Sequence, residues 1–273
     1  MTGRLHLVAE EIELIKFFGV AELLPGLHKM PPRHNVAPST PVLTITHEYG
    51  KRTARLMKWT FVPDWVKDPR DFTQISTARM ETVEKKPSFK NAIRYRRCLV
   101  PVTGFYEWQR QKESGEGIPH FFRRDNEGLF ALAGIWETWM GPNGEEFDGL
   151  ALLTAPAKQP FRTISERLPL IIPPDDHDTW LNTRSGRFNE ARPLLRSAPP
   201  DDLMAYPVSN RVNNPNIDDA SLVEPLKTPQ GNAEQVISAR DSIKVSKAKA
   251  SKAEEGQKNP KGQPEEDAQL DLF

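Results

Sequence analysis

Twenty-five prolines fall mostly between short apolar runs, and this punctuation narrows the possible folds more than any other feature. Proline has no amide N–H, and its ring collides with the preceding helical turn, so a helix ends or kinks where one occurs. The pattern favours many short elements over a bundle of long helices. Strand-like runs recur between turn signals at PVLTIT (41–46), RCLVPV (97–102), LFALAGIWE (129–137) and DGLALLTA (148–155). Helical patterns are fewer: AEEIELIKFFGV (9–20), KPSFKNAIRYR (86–96), DTWLN (178–182) and NEARPLLRS (189–197). We expect an α+β fold: a single domain on an antiparallel, partly barrel-like sheet flanked by short helices.

That domain is expected over residues 1–227. Every Trp and Tyr lies at or before Tyr206, and Thr228 to Ala268 contains no aromatic residue. This stretch is rich in Lys, Glu, Gln, Ser, Ala and Pro, and buries too little apolar surface to offset chain entropy. It reads as a disordered linker over 228–268, with a transient helix near 232–254. The last five residues, Gln269-Leu270-Asp271-Leu272-Phe273, turn apolar again.

Composition excludes several classes. The formal net charge is zero, so any nucleic-acid site must be a local patch. Cys98 is the single cysteine, which removes a disulfide framework and a cysteine zinc site. In Cys98-Leu99-Val100 it reads as an inert core thiol. The sequence has no dinucleotide fingerprint, phosphate-binding loop or paired-histidine metalloprotease motif, so no cofactor and no metal are expected. The first residues lack a signal pattern and no apolar run is bilayer-length. A monomeric cytoplasmic protein without a membrane partner is expected.

Eleven segments, in order, carry a resemblance: TGR (2–4), HNVAPSTPV (34–42), KWTFVPDW (58–65), STARMET (76–82), KPSF (86–89), RCLVPVTGFYEW (97–108), LFALAGIWE (129–137), LLTAPA (152–157), ISERLPLII (164–172), WL (180–181) and YPVSNRVNN (206–214). Together they resemble the SRAP (SOS-response-associated peptidase) family, whose members sense abasic sites in single-stranded DNA. The resemblance covers nearly all of residues 2–227. It implies that Arg4, Trp65, Arg79, Trp108 and Arg167 face DNA. Arginine forks onto phosphate, and an indole can stack a splayed base. Read without the resemblance, the tryptophans are better taken as core or rim packing and the arginines as surface ion pairs.

The pattern breaks at the family's reactive positions. The family begins Met-Cys-Gly-Arg; after loss of the methionine, the cysteine amine forms a Schiff base with the abasic aldehyde and the thiol closes a ring. Here the residue is Thr2. Removal of Met1 leaves an α-amine with a pKa of about 7.7–8.0, nucleophilic near neutrality. A hydroxyl closes the ring less well than a thiolate. The family's Asn-Ala-Arg is Thr77-Ala78-Arg79, and its His-x-Arg-Met-Pro is Ser165-Glu166-Arg167-Leu168-Pro169. Serine cannot replace histidine as an acid/base near pH 7. Only Glu107 remains of the catalytic set the resemblance implies. His6 and His34 lie in motif segments and are open candidates to approach the site.

Gln269-Leu270-Asp271-Leu272-Phe273 resembles the peptide by which bacterial repair proteins bind the DNA polymerase III β sliding clamp. Leu272 and Phe273 suit an apolar pocket, Leu270 a second contact, and Gln269 oriented hydrogen bonds. Three functions stay open. One is a clamp-tethered, nucleoid-associated binder of single-stranded DNA, with or without abasic sites, whose family cross-linking is lost or weakened. The second is an abasic-site lyase or self-processing peptidase using the Thr2 amine and Glu107. The third is a non-enzymatic clamp adaptor.

Overall fold

A computed structural model of the protein describes residues 3–21, 30–110, 117–184, 187–227 and 236–240. The expected clamp-binding peptide, 269–273, and Thr2 lie outside these residues. The elements run β1 (Arg4–Leu7), α1 (Glu11–Phe18), β2 (Arg33–Val36), β3 (Pro41–Glu48), β4 (Lys51–Lys58), β5 (Thr77–Arg79), α2 (Ala92–Tyr95), β6 (Arg97–Val102), β7 (Gly104–Arg110) and β8 (Gly117–Arg124). They continue with β9 (Phe130–Met140), β10 (Glu146–Pro156), β11 (Arg167–Pro169), β12 (Ile171–Ile172), α3 (His177–Leu181), α4 (Phe188–Ala191), β13 (Leu203–Pro207) and β14 (Ile237–Ser238).

The strands form two sheets. The first has the order β14-β13-β8-β7-β1-β2, and its pairings are antiparallel. In the second, β3, β4, β10, β9 and β6 close on themselves through the β9–β10 pairing, giving a five-strand barrel; β5, β11 and β12 add to it. Most of its pairings are antiparallel, but β10 runs parallel to β4 and to β5. The fold is thus α+β with a barrel-like sheet.

Local chemistry explains the connections. Tyr49 and Gly50 join β3 to β4 with φ of 50° and 80°, the left-handed pair that a two-residue hairpin turn needs. Alternate side chains of the barrel strands divide between two cores. Leu43, Leu99, Ala133 and Leu153 pack with Leu14 and Phe18 of α1 and Trp180 of α3. Val42, Val100, Leu132 and Leu152 pack against Leu5, Phe105, Phe122 and Leu203 of the first sheet. Burial of both faces explains why β6 reads as a continuous apolar run, and it leaves Cys98 fully buried. Burial pushes the Cys98 thiol well above its ordinary range, which keeps it protonated and unreactive.

Three of the helices, α1, α2 and α4, are shorter than their sequence patterns. Of residues 86–96, only Ala92–Tyr95 is α-helix, and turns occupy the region around Pro87. Pro193 ends α4 at Ala191, and the chain continues as a 3₁₀ segment, Arg192–Arg196. A second departure lies inside the expected linker. Residues 237–238 add β14 to the edge of β13, Met204 opposite Ser238 and Ala205 opposite Ile237. Ile237 packs on the core, and Arg240 bridges Asp125 at 2.9 Å. The described part of 228–268 is therefore docked on the domain, where a disordered linker was expected.

No helix among the described residues is long and apolar enough to cross a membrane.

Candidate functional site

β7 organises the site, because its two faces carry different chemistry. Arg4 lies opposite Tyr106 and His6 opposite Gly104, so Arg4, His6, Tyr106 and Trp108 share one face of the first sheet. Phe105 and Glu107 occupy the other face, toward the barrel. Gly104 makes the strand's close approach possible: a Cβ there would sit 2.2 Å from the Phe121 ring and 2.8 Å from the Phe122 carbonyl oxygen.

On the outer face, Asn213 ties two candidates together. The Trp108 indole donates to Asn213 Oδ1 at 2.8 Å, and Arg4 Nη2 donates to the Asn213 carbonyl at 3.3 Å. Arg4 Nη1 also donates to the Gly3 carbonyl at 2.7 Å, while its buried Nε has no partner among the described residues. Burial lowers the Arg4 guanidinium from its ordinary value. Trp108 is half-buried.

On the inner face, Glu107 is 1% exposed. Ser165 Oγ lies 3.2 Å from Glu107 Oε2 and 2.8 Å from the Arg167 carbonyl oxygen. One hydroxyl proton serves one acceptor at a time, so the Ser165 hydroxyl divides its donation between the Glu107 carboxyl and the Arg167 carbonyl. Arg167 turns away from this contact. Its Nε donates to Thr154 Oγ1 at 3.1 Å and its Nη2 to the Thr154 carbonyl at 2.6 Å. Its two Nη atoms fork onto Glu81 at 2.7 and 2.8 Å. The Arg167 guanidinium, by donating to it, holds the Glu81 carboxyl below its ordinary range.

Strand pairing brings in the remaining family positions. β5 runs parallel to β10, with Thr77 opposite Leu152 and Arg79 opposite Thr154. Thr154 is thus shared: it neighbours exposed Arg79 and holds Arg167. Glu107, Ser165 with Arg167, and Thr77 with Arg79 come from three different segments, positioned by β7, the turn leading into β11, and the pairing of β5 with β10. Trp65 sits apart from these strands in its contacts. It is 59% exposed, with its ring against Phe72 at 5.8 Å, and Phe72 in turn packs on Val62, Val66 and Trp139.

The histidines divide between the two faces. His6 Nδ1 contacts Thr103 Oγ1 at 2.8 Å, and its Nε2 meets His34 Nδ1 at 3.1 Å. Both rings therefore belong to the face opposite Glu107. Burial first, then the charge on His34, lowers His6 to about 3, so this ring is neutral near pH 7. The histidine that shares Glu107's face is His120, directly opposite it in the β7–β8 pair and 5% exposed. Sequence reasoning passed over His120; the available signal was the period-two alternation that places it with Phe122 on the inward face. Among the described residues, no group of three or more His, Cys, Asp or Glu is placed to hold a metal.

A family model described as SOS response associated peptidase (SRAP) matches residues 1–215. The chain is 32% identical over 224 residues to the Abasic site processing protein YoqW of Bacillus subtilis, covering 82% of this chain and 99% of that protein. It is 30% identical over 198 residues to the Abasic site processing protein YedK of Escherichia coli, covering 71% and 85%. With the Abasic site processing protein HMCES of Rattus norvegicus it shares 30% identity over 220 residues, covering 67% of this chain and 62% of that protein. Among solved structures, a protein from Bacteroides thetaiotaomicron shares the fold, with a TM-score of 0.70, 24% identity, and coverage of 81% and 98%. One from Bordetella bronchiseptica does so with a TM-score of 0.63, 22% identity, and coverage of 76% and 99%. With the match spanning β1 to β13 and every segment that builds the site, the chain belongs to the SOS response associated peptidase family.

Proposed function

We propose that this protein binds single-stranded DNA at abasic sites and forms at most a transient adduct there. The observation that carries the reading is the contact between Ser165 Oγ and buried Glu107. The acid and the residue standing at the family's histidine position meet, but the hydroxyl cannot exchange protons near pH 7 as an imidazole does. Relatives named as abasic site processing proteins support the substrate class. The cationic side chains around the site support the DNA reading. Arg79 is exposed, and Arg4 carries a buried N–H without a partner among the described residues.

In this reading Arg4, Arg79 and Arg167 hold phosphates, Trp108 stacks an unpaired base, and Trp65 supplies a second, outlying stacking surface. Thr2, with Met1 removed, attacks the sugar aldehyde through its amine, and Glu107 manages the protons. Thr77 offers no amide to position the sugar. The thiol-closed ring of the family cannot form, so the imine stays hydrolysable. Borohydride trapping on an abasic single-stranded oligonucleotide, beside a Thr2→Cys variant, tests this. A trapped adduct from the parent chain and a stable cross-link only from the variant are expected. A protein that binds neither single-stranded nor abasic DNA at low salt overturns the reading.

The tail belongs to the same proposal. Residues 269–273 dock on the β sliding clamp, tethered by the segment from 241 onward, which raises the local concentration of the domain near the fork. Deleting Gln269–Phe273 removes clamp association; association that persists refutes the tether.

A further inference from the structure

We propose that His120 is the proton-exchange partner of Glu107, taking over the acid/base role that Ser165 cannot fill. The inference rests on the amine chemistry proposed above for this site.

The β7–β8 register places Glu107 and His120 directly opposite each other. Directly opposed residues of an antiparallel pair present side chains to the same face, with Cβ atoms about 4.5–5.5 Å apart. Both are almost wholly removed from solvent, at 1% and 5% exposure. A buried carboxylate and a buried imidazole in that relation exchange a proton at little cost, since the ion pair and the neutral pair are both compensated.

The ring is also held in one tautomer. His120 Nδ1 lies 3.1 Å from the Ile118 carbonyl oxygen. A carbonyl only accepts, so Nδ1 carries the hydrogen and Nε2 carries the lone pair of the neutral ring. Fixing one nitrogen by a backbone carbonyl leaves the other as the atom that takes up and releases protons.

Of the charged groups on the elements around His120, Arg110 at the end of β7 and Glu166 in the turn are exposed to solvent, and the arginines nearer the site are engaged elsewhere. From β13, the residue opposite is Pro207, which does not titrate. The 3₁₀ turn Asn210–Asn213, packed on β8, carries Arg211, which is held by Asp219 at 2.9 Å. In the turn that meets Glu107, Arg167 is held by Glu81 at 2.7 Å. Among the described residues, Glu107 is the acid that faces His120.

The Thr2 amine adds to the aldehyde carbon, the carbonyl pair moves to oxygen, and one nitrogen proton passes to that oxygen to give a carbinolamine. Protonated His120, through Glu107, supplies a second proton; the hydroxyl leaves as water as the C=N bond forms. The products are the iminium, water and neutral His120, and hydrolysis returns the proton.

The test uses the full chain. A nuclear magnetic resonance titration of the His120 ring is recorded for the parent and for Glu107→Gln; loss of the carboxylate lowers the midpoint by about one pH unit or more. In parallel, His120→Gln is assayed for DNA affinity and for borohydride-trapped adduct from pH 5 to 8.5. Unchanged affinity, a trapping rate about tenfold or more lower, and a flattened pH profile support the proposal. A His120 titration indifferent to Glu107→Gln, or parental trapping kinetics in His120→Gln, overturns it. If the parent gives no adduct, the proposed Thr2 chemistry fails, and the same His120→Gln comparison is made in the Thr2→Cys chain. A Thr2→Cys chain that also fails to cross-link overturns the proposal as well.

Discussion

Arg167 spends its guanidinium on Glu81, with both Nη atoms on the two carboxylate oxygens at 2.7 and 2.8 Å. A phosphate approaching Arg167 must therefore displace or share that carboxylate. The Glu81 side chain is 39% exposed, so solvent screens the bridge and it adds little stability. Removing its charge leaves Arg167 anchored on Thr154 but open outward. Glu81→Gln is expected to tighten single-stranded DNA binding by about two- to fivefold at low salt and to steepen the salt dependence by roughly one counterion. Fluorescence anisotropy across a salt series measures both; a weaker or unchanged affinity means Arg167 does not meet phosphate.

The outer face makes a separate prediction. Asn213 receives the Trp108 indole N–H on its side chain and an Arg4 N–H on its backbone. Trp108→Ala removes the stacking surface and is expected to cost about 1–3 kcal/mol of DNA affinity. Asn213→Ala frees the indole without removing it and is expected to cost less. Equal losses in the two variants would assign Trp108 to packing with Val208 and Leu222 in place of stacking.

How far these relationships could be read in the sequence depended on their range. β6 and β9 were legible because burial on both faces leaves uninterrupted apolar runs. The helices at α2 and α4 were overextended because their periodicity runs through Pro87 and Pro193, where the backbone cannot follow. Docking of Ile237 was hidden in a polar stretch, since two apolar contacts on a sheet edge leave almost no compositional trace. Glu107 and Ser165 were linked only through family resemblance; 58 residues separate them, and no local pattern signals their contact. His120 was missed because the β7–β8 register has no local signature in the sequence, and a one-residue slip would have put it on the outer face.

His6 links the site's surroundings to acid stability. An unfolded chain takes up a proton on this ring near its ordinary value of 6.5, whereas the folded chain does so only near 3. The unfolded state thus binds more protons between these values. Folding stability is complete above pH 6.5 and falls as the pH drops toward 3, by up to about 1.4 kcal/mol per pH unit for this ring. His177, held down to about 4 chiefly by burial, adds to the same fall. Urea melts from pH 7 to 3.5 should show the decline, and His6→Gln should flatten it by about one proton. An equally steep slope in the variant would place the acid sensitivity elsewhere.

Ser165 offers the most direct repair of the site. Its hydroxyl already touches the Glu107 carboxyl and the Arg167 carbonyl, so a side chain of greater reach at 165 arrives beside the acid without any change of fold. In the Thr2→Cys chain, where a thiol can close the ring, Ser165→His should raise the rate of stable cross-linking to abasic single-stranded DNA by about a hundredfold, the range of a positioned acid/base. Glu107→Gln added to that variant should return the rate toward its starting level, because the imidazole would lose its partner. Cross-link yield over time on denaturing gels reads both effects. If Ser165→His leaves the rate unchanged while Thr77→Asn raises it, positioning of the sugar rather than proton transfer limits this site.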